Sequence, residues 1–375
     1  MNAPNEKKAF KDWFDAEAAR RLGVQMQTAW PPFPLRQFEA CATRDLDRLE
    51  FHGRVHHFTE ALTRCLPENT SQAMDILCRS FPPVDPDNEA INDGWLQWPV
   101  GHYIACQGLD DFDAAMRAMI ELTQRFTSEF AVRPFVEHQP EATFAALRKL
   151  TSHPSPHVRR WCSEGVRPRL PWGNRLQQLV QDPSPIWPIL EALRDDPSRY
   201  VQKSVANCLN DIAKDHPDLV IDRCTAWKPH AGKARQWIIR HGLRTIIKDG
   251  HPRALALMGY EPDPPVTAVP KLKRKTCTLG ETVELQADLV NPGTTPQPLL
   301  LDIVVSFPNK QGILREKVLK WTTLTLQPGE QRTLRKQLNF FRPSSVRTLY
   351  PGPHTFHLQL NGSRQGAAGI RLLKV

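Results

Sequence analysis

The chain has 375 residues, of which 40% are hydrophobic and 24% are charged, and its formal net charge is +9. This length suits two domains, and the composition is ordinary for a soluble globular protein. No run of about 18 apolar residues is present, which argues against a membrane-spanning helix, and residues 1–20 lack the apolar stretch of a secretory signal. We therefore expect a cytoplasmic protein that does not contact membranes.

The positive charge is concentrated in the middle and at the C-terminal end. Residues 264–375 contain 16 Lys and Arg against 6 Asp and Glu, and residues 151–245 contain 15 against 9, whereas residues 1–150 contain 16 against 22. A basic surface favours a polyanionic partner, because each neutralised phosphate releases counterions. Charge alone is explained equally well by an ordinary solvated surface.

Residues 1–262 carry the spacing of helices. Apolar residues recur at helical spacing over residues 111–130, and Pro134 is expected at the end of that helix or shortly after it. A further helix is predicted over residues 142–150 and is stopped by the His-Pro-Ser-Pro turn at residues 153–156.

An internal repeat relates HPSPHVRR at residues 153–160 to DPSRYVQK at residues 196–203, an offset of 43 residues. Each copy is a Pro-Ser turn followed by the start of a helix with an apolar Val. The offset falls within the roughly 40–47 residues of HEAT and armadillo units, and residues 234–240 form a third, divergent copy. The pattern predicts an all-α HEAT-like repeat solenoid with a concave face over residues 1–262.

The composition changes at the proline-rich stretch 261–265, beyond which the hydrophobic period is two. Strands are predicted over residues 282–290, 299–307, 322–326, 332–340 and 355–360, with turns at 291–293, 327–330 and 351–353. This pattern indicates a small all-β Ig-like sandwich over residues 263–375. The Cys…Trp…Cys signature of antibody domains is missing, so the likeness concerns architecture only.

The eight cysteines are scattered and form no C-x-x-C pair. A structural zinc site needs clustered soft ligands, so we expect no metal, and no cofactor is indicated. Most of the cysteines are expected to act as small buried hydrophobes in a reducing compartment.

Two long motifs stand in the middle of the chain: SEGVRPRLPW at residues 163–172 and SVANCLNDIAKDHP at residues 204–217. Together with residues 127–134 and 237–244, they resemble the AlkC branch of the AlkC/AlkD family of DNA alkylation-repair glycosylases. The resemblance is strong over about residues 100–260 and weak over the first hundred, and some AlkC-like proteins also carry a C-terminal Ig-like domain.

The resemblance implies a base-excision-repair glycosylase that removes cationic alkylated bases from double-stranded DNA. The expected substrates are 3-methyladenine and 3-methylcytosine, with 1-methyladenine as a further candidate. It also implies that the damaged base stays in or near the stack instead of being fully flipped out. We expect a monomer that associates with the nucleoid when it is bound to DNA.

The chemistry of such a lesion explains which residue types are needed. The alkylated base already bears a positive charge, so it can leave without prior protonation. What remains is to stabilise an oxocarbenium-like sugar and to position a water, and carboxylates suit both tasks. A tryptophan face adds about 0.5–2 kcal/mol of cation–π attraction. We assign catalytic roles to residues that match the family positions around the lesion: Glu164, Asp211, Glu129 and Trp172.

The same residues have structural alternatives. Glu164 and Asp211 can be solvated helix acids that pair with Arg160 and Lys214, since the spacing allows both pairs. Trp172 can be a packing residue, a role that Trp161 and Trp237 suit better. No lysine stands out beside the acids, so we expect a monofunctional enzyme in which water attacks and no Schiff base forms.

Basic residues of the middle region are expected to line the concave face and bind phosphates. They are Arg159, Arg160, Arg167, Arg169, Lys203, Arg235, Arg240 and Arg244. The sandwich is expected to provide a second DNA-binding surface, with Lys273 and Arg274 in its densest basic cluster (residues 271–275). The alternative is a stabilising or partner-binding module.

Two other functions fit parts of the pattern. A non-catalytic HEAT-repeat scaffold would bind DNA or an acidic protein, and a metal-dependent nuclease would need carboxylates that converge on Mg²⁺. Carboxylates in the middle of a phosphate-binding face repel the DNA backbone, so the acids among the basic residues favour a glycosylase over a scaffold.

Overall fold

The structure is a computed structural model that describes residues 9–84, 94–341 and 348–374. Helices occupy the chain as far as Leu257, and strands follow from Thr267. This order confirms the predicted fold class, a helical region followed by a small all-β domain. No helix in the described residues is both long and apolar enough to cross a membrane.

The helices of the described residues are numbered in chain order. They are α1 Ala16–Ala29, α2 Leu35–Thr43, α3 Phe51–Cys65, α4 Thr70–Ser80, α5 Trp98–Gln107, α6 Phe112–Thr123, α7 Arg133–His138, α8 Pro140–Leu150, α9 Pro156–Glu164, α10 Gln177–Gln181, α11 Trp187–Leu193, α12 Arg199–Ile212, α13 Pro217–Trp227, α14 Lys233–Gly242, α15 Arg244–Lys248 and α16 Pro252–Leu257. Short 3-10 helices include Phe10–Trp13 and Gly94–Gln97.

The chain divides into two compact units. One consists of residues 1–215 and 230–242, and the other consists of residues 216–229 and 243–375. The first unit therefore contains α1 to α12 together with α14, and the second contains α13, α15, α16 and all the described strands. Neighbouring helices of the first unit pack side by side, including α1 with α2, α3 with α5, and α4 with α6.

The helix predicted over residues 111–130 is shorter than expected. It is α6, which starts after the N-cap Asp111 and ends at Thr123. The chain then turns, and the buried Ser128 donates its hydroxyl to the Met119 carbonyl at 2.7 Å. Pro134 lies in the first turn of α7, where its missing N–H is not needed. Pro134 thus neither ends α6 nor follows shortly after its end, so that prediction was wrong, and residues 124–132 form a separate connecting segment.

The offset of 43 residues corresponds to the starts of two neighbouring helices. α9 begins after Ser155 and α12 begins after Ser198, and both serines have extended backbone. Val158 and Val201 are fully buried at matching positions. α12 packs against α9 on one side and against α14, which contains the third copy, on the other. The sequence repeat thus identifies three adjacent helices.

The strands form two sheets. They are β1 Thr267–Leu272, β2 Thr276–Cys277, β3 Thr282–Val290, β4 Gln297–Pro308, β5 Leu314–Leu326, β6 Gln331–Asn339, β7 Gly352–Leu360 and β8 Ser363–Leu372. The order is β1-β3-β6 in one sheet and β2-β8-β7-β4-β5 in the other. β2 pairs with β8 in parallel, and the other pairs are antiparallel. Two apolar clusters form the core of this β domain.

The strand predictions located β3, β4, β6 and β7, covered only the last five residues of β5, which begins at Leu314, and missed β1, β2 and β8. Residues 282–290 were predicted with the bounds of β3. β8 was missed because it contains Gly366 and Gly369, which are poor strand formers. The turn predicted at residues 351–353 was wrong, since β7 already begins at Gly352.

Two residues between the start of α15 and the sandwich contact the sandwich within the second unit. Gln359 Nε2 donates to the Lys248 carbonyl at 2.9 Å, and Asn361 Nδ2 donates to the Glu261 carbonyl at 2.9 Å. The compact unit therefore includes the segment that leads from α15 to the sandwich. The domain boundary between residues 262 and 263 stays a prediction. It lies between the last helix, which ends at Leu257, and the first strand, which begins at Thr267.

Candidate active site

A line of alternating acidic and basic side chains crosses the first unit. Arg160 Nη1 lies 2.5 Å from Glu129 Oε2, and Arg160 Nη2 lies 3.4 Å from Glu164 Oε1. Arg167 Nη1 donates to the same Glu164 oxygen at 2.5 Å, and its Nε donates to Asp211 Oδ2 at 2.8 Å. We call these five residues the carboxylate ladder. Its three carboxylates outnumber its two guanidinium groups, and the amine of Lys214, 2.9 Å from Asp211 Oδ1, supplies a third positive charge beside it.

Three separate segments bring the ladder together. Glu164 is the last residue of α9, and Asp211 lies near the end of the neighbouring α12. Glu129 comes from the segment that connects α6 to α7. This segment approaches α9 closely at Gly165, where a Cβ atom would lie 2.5 Å from Val132 Cγ1. Glycine at this position therefore permits the contact on which the ladder depends.

The ladder is buried. Glu129, Glu164 and Asp211 are 9%, 5% and 2% exposed. Their burial contradicts the alternative of solvated surface acids, although the ion pairs assumed by that alternative are present. Lys214 Nζ, for example, lies 2.9 Å from Asp211 Oδ1, so the expectation that no lysine stands out beside the acids was wrong. A buried carboxylate without a cation would take up a proton, so the arginines are what allows charged acids in this place.

The arginines keep Glu164 ionised. Burial by itself would raise the pKa of Glu164, but the charges of Arg160 and Arg167 outweigh burial and hold the pKa below its usual value of 4.5. Burial by itself would lower the pKa of Arg167. The carboxylates of Glu164 and Asp211 outweigh burial and raise this pKa. Glu164 is therefore an anion at neutral pH, as the stabilisation of a cation requires.

Glu129 is the most exposed carboxylate of the ladder. Its Oε2 accepts a hydrogen bond from the Thr127 hydroxyl at 2.9 Å as well as the contact from Arg160. No partner contacts its Oε1 within the described part of the chain. Both oxygens of Asp211, in contrast, are engaged by Arg167 and Lys214. Glu129 thus keeps one oxygen for a water or a ligand.

Trp172 lies on the loop that follows Arg167. It is 63% exposed, and its backbone is in the left-handed region with φ of 67°. The exposure contradicts a place in the core, although one side of the ring packs against other side chains. Its ring contacts the rings of Phe10, Phe51, His52 and Trp98, at centroid distances of 5.9–6.2 Å. These neighbours could not be predicted from the sequence, because they lie outside the motifs and far from Trp172 along the chain.

The two other tryptophans considered above pack as expected. Trp161 is fully buried, and its Nε1 donates to the Ser128 carbonyl at 3.0 Å. Trp237 is half-buried, and the Arg199 guanidinium carbon lies 3.2 Å from its ring centroid.

The basic residues that were predicted to bind phosphate differ in their surroundings. Arg160 and Arg167 belong to the ladder and are directed at its carboxylates. Three others form ion pairs within the first unit: Arg159 with Asp196, Arg169 with Asp215, and Arg235 with Asp195. Lys203 and Arg240 are exposed and have no ion-pair partner among the described residues. These two are the most available for a phosphate.

In the second unit, two of the three predicted phosphate ligands also have acidic neighbours. Arg244 is partly buried at the start of α15. Lys273 Nζ lies 3.1 Å from Glu284 Oε1, and Arg274 Nη1 lies 3.0 Å from Glu281 Oε1. Such surface pairs are worth at most about 1 kcal/mol, so a phosphate can replace the carboxylate.

The cysteines are free thiols, and five of them are buried: Cys65, Cys162, Cys208, Cys224 and Cys277. This confirms that most of them act as small apolar residues. Across the described ranges, no group of three or more His, Cys, Asp or Glu side chains has an arrangement suited to a metal ion.

Comparison with known proteins shows where the chain belongs. Residues 84–246 match a family model described as DNA alkylation repair enzyme, and residues 267–374 match one described as Uncharacterised protein YhaZ, C-terminal Ig-like domain. The protein named Uncharacterized protein YhaZ of Bacillus subtilis (strain 168) is 33% identical over 361 residues, which are 94% of this chain and 96% of that protein.

A solved structure is similar over nearly the whole length. It is the Pseudomonas fluorescens alkylpurine DNA glycosylase AlkC bound to DNA containing an abasic site analog, with 32% identity and a TM-score of 0.87. The match covers 98% of this chain and 100% of that one. The chain therefore belongs to the AlkC-type family of DNA alkylation-repair proteins with a C-terminal Ig-like domain.

Proposed function

We propose that this protein is a monofunctional DNA glycosylase that hydrolyses the N-glycosidic bond of cationic alkylated bases in double-stranded DNA. Its substrates are 3-methyladenine and 3-methylcytosine, with 1-methyladenine as a third candidate. The observation that carries the proposal is the carboxylate ladder, a buried row of side chains in which three carboxylates lie close together. The similar Pseudomonas fluorescens structure is that of an alkylpurine DNA glycosylase, which supports the proposal.

The ladder suits the charge changes of this reaction. When the C1′–N bond breaks, the electron pair leaves with the base and neutralises it, and the sugar becomes an oxocarbenium cation. A negative site that is fixed in advance stabilises this cation more than the uncharged sugar of the ground state. Opposite unit charges 4 Å apart attract by about 4 kcal/mol at an effective dielectric constant of about 20, which is roughly a thousandfold in rate.

The side chains differ in the role that their surroundings allow. Glu164, held ionised by Arg160 and Arg167, faces the sugar cation. Glu129 Oε1, which has no protein partner among the described residues, accepts a hydrogen bond from the attacking water. Asp211 adds negative charge while its oxygens hold Arg167 and Lys214. The exposed Trp172 ring offers a face to the cationic base.

The ionised state of Glu164 also predicts which bases are rejected. A neutral damaged base is a poor leaving group unless an acid protonates it. Glu164 has a lowered pKa and carries no proton to donate at neutral pH. Only bases that are already cationic can leave readily, and such a base need not enter a deep pocket. We therefore include in the proposal that the damaged base stays in or near the stack.

A water-only mechanism is proposed because the nearest lysine is engaged. Lys214 Nζ forms an ion pair with Asp211 at 2.9 Å, which disfavours its use as an amine nucleophile. Borohydride should therefore trap no covalent complex with damaged DNA. A trapped complex that disappears in Lys214→Ala would contradict the monofunctional assignment.

The central test is the release of free bases from methylated duplex DNA. The wild-type protein should release 3-methyladenine and 3-methylcytosine, and Glu164→Gln, which keeps the shape but removes the charge, should be slower by about 10²–10³-fold. Asp196→Asn is the matched control, since Asp196 is 7% exposed and pairs with Arg159 outside the ladder. It should retain the wild-type rate for each folded molecule.

Two outcomes would reject the proposal. If wild type and Glu164→Gln release the same background of free base, the protein is not a glycosylase of this kind. If the protein binds DNA with a steep salt dependence but leaves its base content unchanged, a non-catalytic scaffold is the better description.

A further inference from the structure

Arg133 is a buried arginine that binds backbone carbonyls instead of acids. It lies at the start of α7 and is 4% exposed. Its Nη1 donates to the carbonyls of Gly165 at 3.1 Å and Arg167 at 3.0 Å, and its Nη2 donates to the carbonyl of Asn174. All three carbonyls belong to one loop, residues 165–174. We call this set of contacts the Arg133 clamp.

If Arg133 only filled space in the core, this arrangement would make the fold less stable than an apolar side chain would. Arg133 forms no ion pair with a carboxylate within the described ranges, and its Nε has no hydrogen-bond partner. Burial accordingly lowers the pKa of Arg133 to about 10. The carboxylates of Glu137, Glu129 and Asp211 attract this charge without a hydrogen bond to it and offset burial only in part. A buried cation with no carboxylate in hydrogen-bond contact is less favourable than an apolar side chain of similar volume. The clamp therefore calls for an explanation beyond stability.

The clamped loop carries the parts of the site that must be placed accurately. Arg167, whose carbonyl is clamped, uses its side chain to join Glu164 to Asp211. Trp172 lies on the same loop in a left-handed backbone conformation, which a non-glycine residue adopts only when its surroundings enforce it. Because Arg133 holds this loop at both of its ends, it fixes the positions of the carboxylate ladder and of the Trp172 indole ring together.

We propose that Arg133 is a positioning residue of the active site, which holds residues 165–174 so that Arg167 and Trp172 take their working places. This inference rests on the proposed glycosylase function for its kinetic part only. Arg133 touches neither the substrate nor the reacting atoms, and it acts through the loop. Lysine cannot replace it, because a single ammonium cannot bond three carbonyls in the planar fork of a guanidinium.

The test combines Arg133→Lys with hydrogen–deuterium exchange and single-turnover kinetics. In the full-length variant, amides of residues 165–174 should exchange at least about tenfold faster, since the loop has lost its clamp. The rate of base release at saturating enzyme should fall on the order of 10–100-fold, while the Kd for DNA changes less than threefold. A split of this kind separates misplacement of the site from loss of DNA binding.

Arg54→Lys is the matched control. Arg54 is 5% exposed and also donates to three backbone carbonyls, those of Leu49, Lys11 and Phe14. Unlike Arg133, it also has a carboxylate nearby, since Asp12 Oδ1 lies 3.5 Å from its Nη1. Its replacement should have a similar effect on the unfolding temperature, but the exchange of residues 165–174 should remain at the wild-type rate.

Clear results overturn the inference. If exchange in residues 165–174 is unchanged in Arg133→Lys, or rises equally in Arg54→Lys, Arg133 does not hold the loop specifically. If exchange rises but the rate of base release does not fall, the loop needs no positioning. Should Arg133→Lys fail to fold, Arg133→Gln retains one amide donor without the buried charge and is judged by the same readouts. If wild type itself releases no base, the proposed function fails, whereas the exchange data still decide whether the clamp exists.

Discussion

The Arg167 guanidinium lies 2.5 Å from the Glu164 carboxylate, and the two residues are 6% and 5% exposed. They are three positions apart in sequence, but the contact forms because α9 ends at Glu164 and the chain turns back. From this position Arg167 also reaches Asp211 on α12. The positive charge of Arg167 thus partly neutralises both buried carboxylates, and its two hydrogen bonds fix the distance between Glu164 and Asp211.

Removing the positive charge of Arg167 should destabilise the folded protein. Arg167→Met leaves Glu164 and Asp211 without their shared partner, and we expect the free energy of unfolding at pH 7 to fall by about 3–5 kcal/mol. Chemical denaturation measures the change. Arg169→Met is the control on the same loop, since its pair with Asp215 is about a quarter exposed, and it should lose less than about 1 kcal/mol. Equal losses would show that the buried position of Arg167 has no special importance.

The ladder predicts a dependence on acid pH. The pKa of Glu164 is lowered in the folded protein, so the ionised group stabilises the fold above its unfolded pKa of about 4.5, and this contribution is lost as the pH falls through the folded pKa. Because the single-turnover rate depends on the folded enzyme, it should stay level from pH 7 to about 4.5 and should fall only at lower pH, where Glu164 takes up a proton. In Arg160→Met, the fall should begin at a higher pH. Identical profiles for the two proteins would remove Arg160 from this role.

Trp172 should matter for activity more than for stability, because 63% of it is exposed. Trp172→Ala should slow base release by roughly 3–30-fold, the equivalent of a cation–π contact of about 0.5–2 kcal/mol. Trp172→Phe should retain most of the rate, and both variants should unfold near the wild-type temperature. A large drop in the unfolding temperature of Trp172→Ala would indicate a packing role instead.

The exposed cations of the first unit should determine part of the salt dependence of DNA binding. Lys203→Ala and Arg240→Ala should each weaken binding to damaged and undamaged duplexes equally and lower the slope of log K against log salt by about 1. Lys273→Ala and Arg274→Ala test the sandwich in the same titration. If the slope is unchanged in Lys273→Ala and Arg274→Ala, the sandwich does not provide a second DNA-binding surface.

A close backbone contact in the second unit gives a test of its packing. A Cβ atom on Gly362, whose φ is +89°, would lie 2.8 Å from Gly250 Cα, whereas nothing lies within 4 Å of a Cβ atom on Gly259, whose φ is +83°. Gly259→Ala should cost about 1 kcal/mol for the backbone conformation alone. Gly362→Ala should cost about 2–4 kcal/mol, because the clash is added. Equal unfolding temperatures for the two variants would mean that the segment around Gly250 does not need to contact the sandwich.

The sequence predicted the elements whose own residues carry a strong pattern. The alternating apolar residues of 282–290 predicted β3 with its observed bounds, and the Pro-Ser turns predicted the starts of α9 and α12. It overextended α6, because the apolar spacing continues past Thr123 into a segment that turns. It missed β8, because that strand is stabilised by its pairing with β7 and not by its glycine-containing sequence.

For the site, the motifs alone pointed to Glu129, Glu164, Asp211 and Trp172, and to the arginines among them. Only the tertiary structure decided which arginines are directed at carboxylates and which remain available to phosphate, because exposed and buried arginines look alike in a sequence. It also revealed Arg133, for which the only signal was a charged residue within the apolar run of residues 130–136.

Residue types, helix starts and the sign of the charge are properties of the local chain, and the sequence by itself determined them. Burial, ion pairing and the lowered pKa of Glu164 depend on α9, α12 and the segment before α7 meeting in space. Electrostatic interactions act over a few ångströms, whatever the separation along the chain. Whether the acids of this protein are solvated surface groups or a buried ionised row was therefore decided only by the packing of its helices.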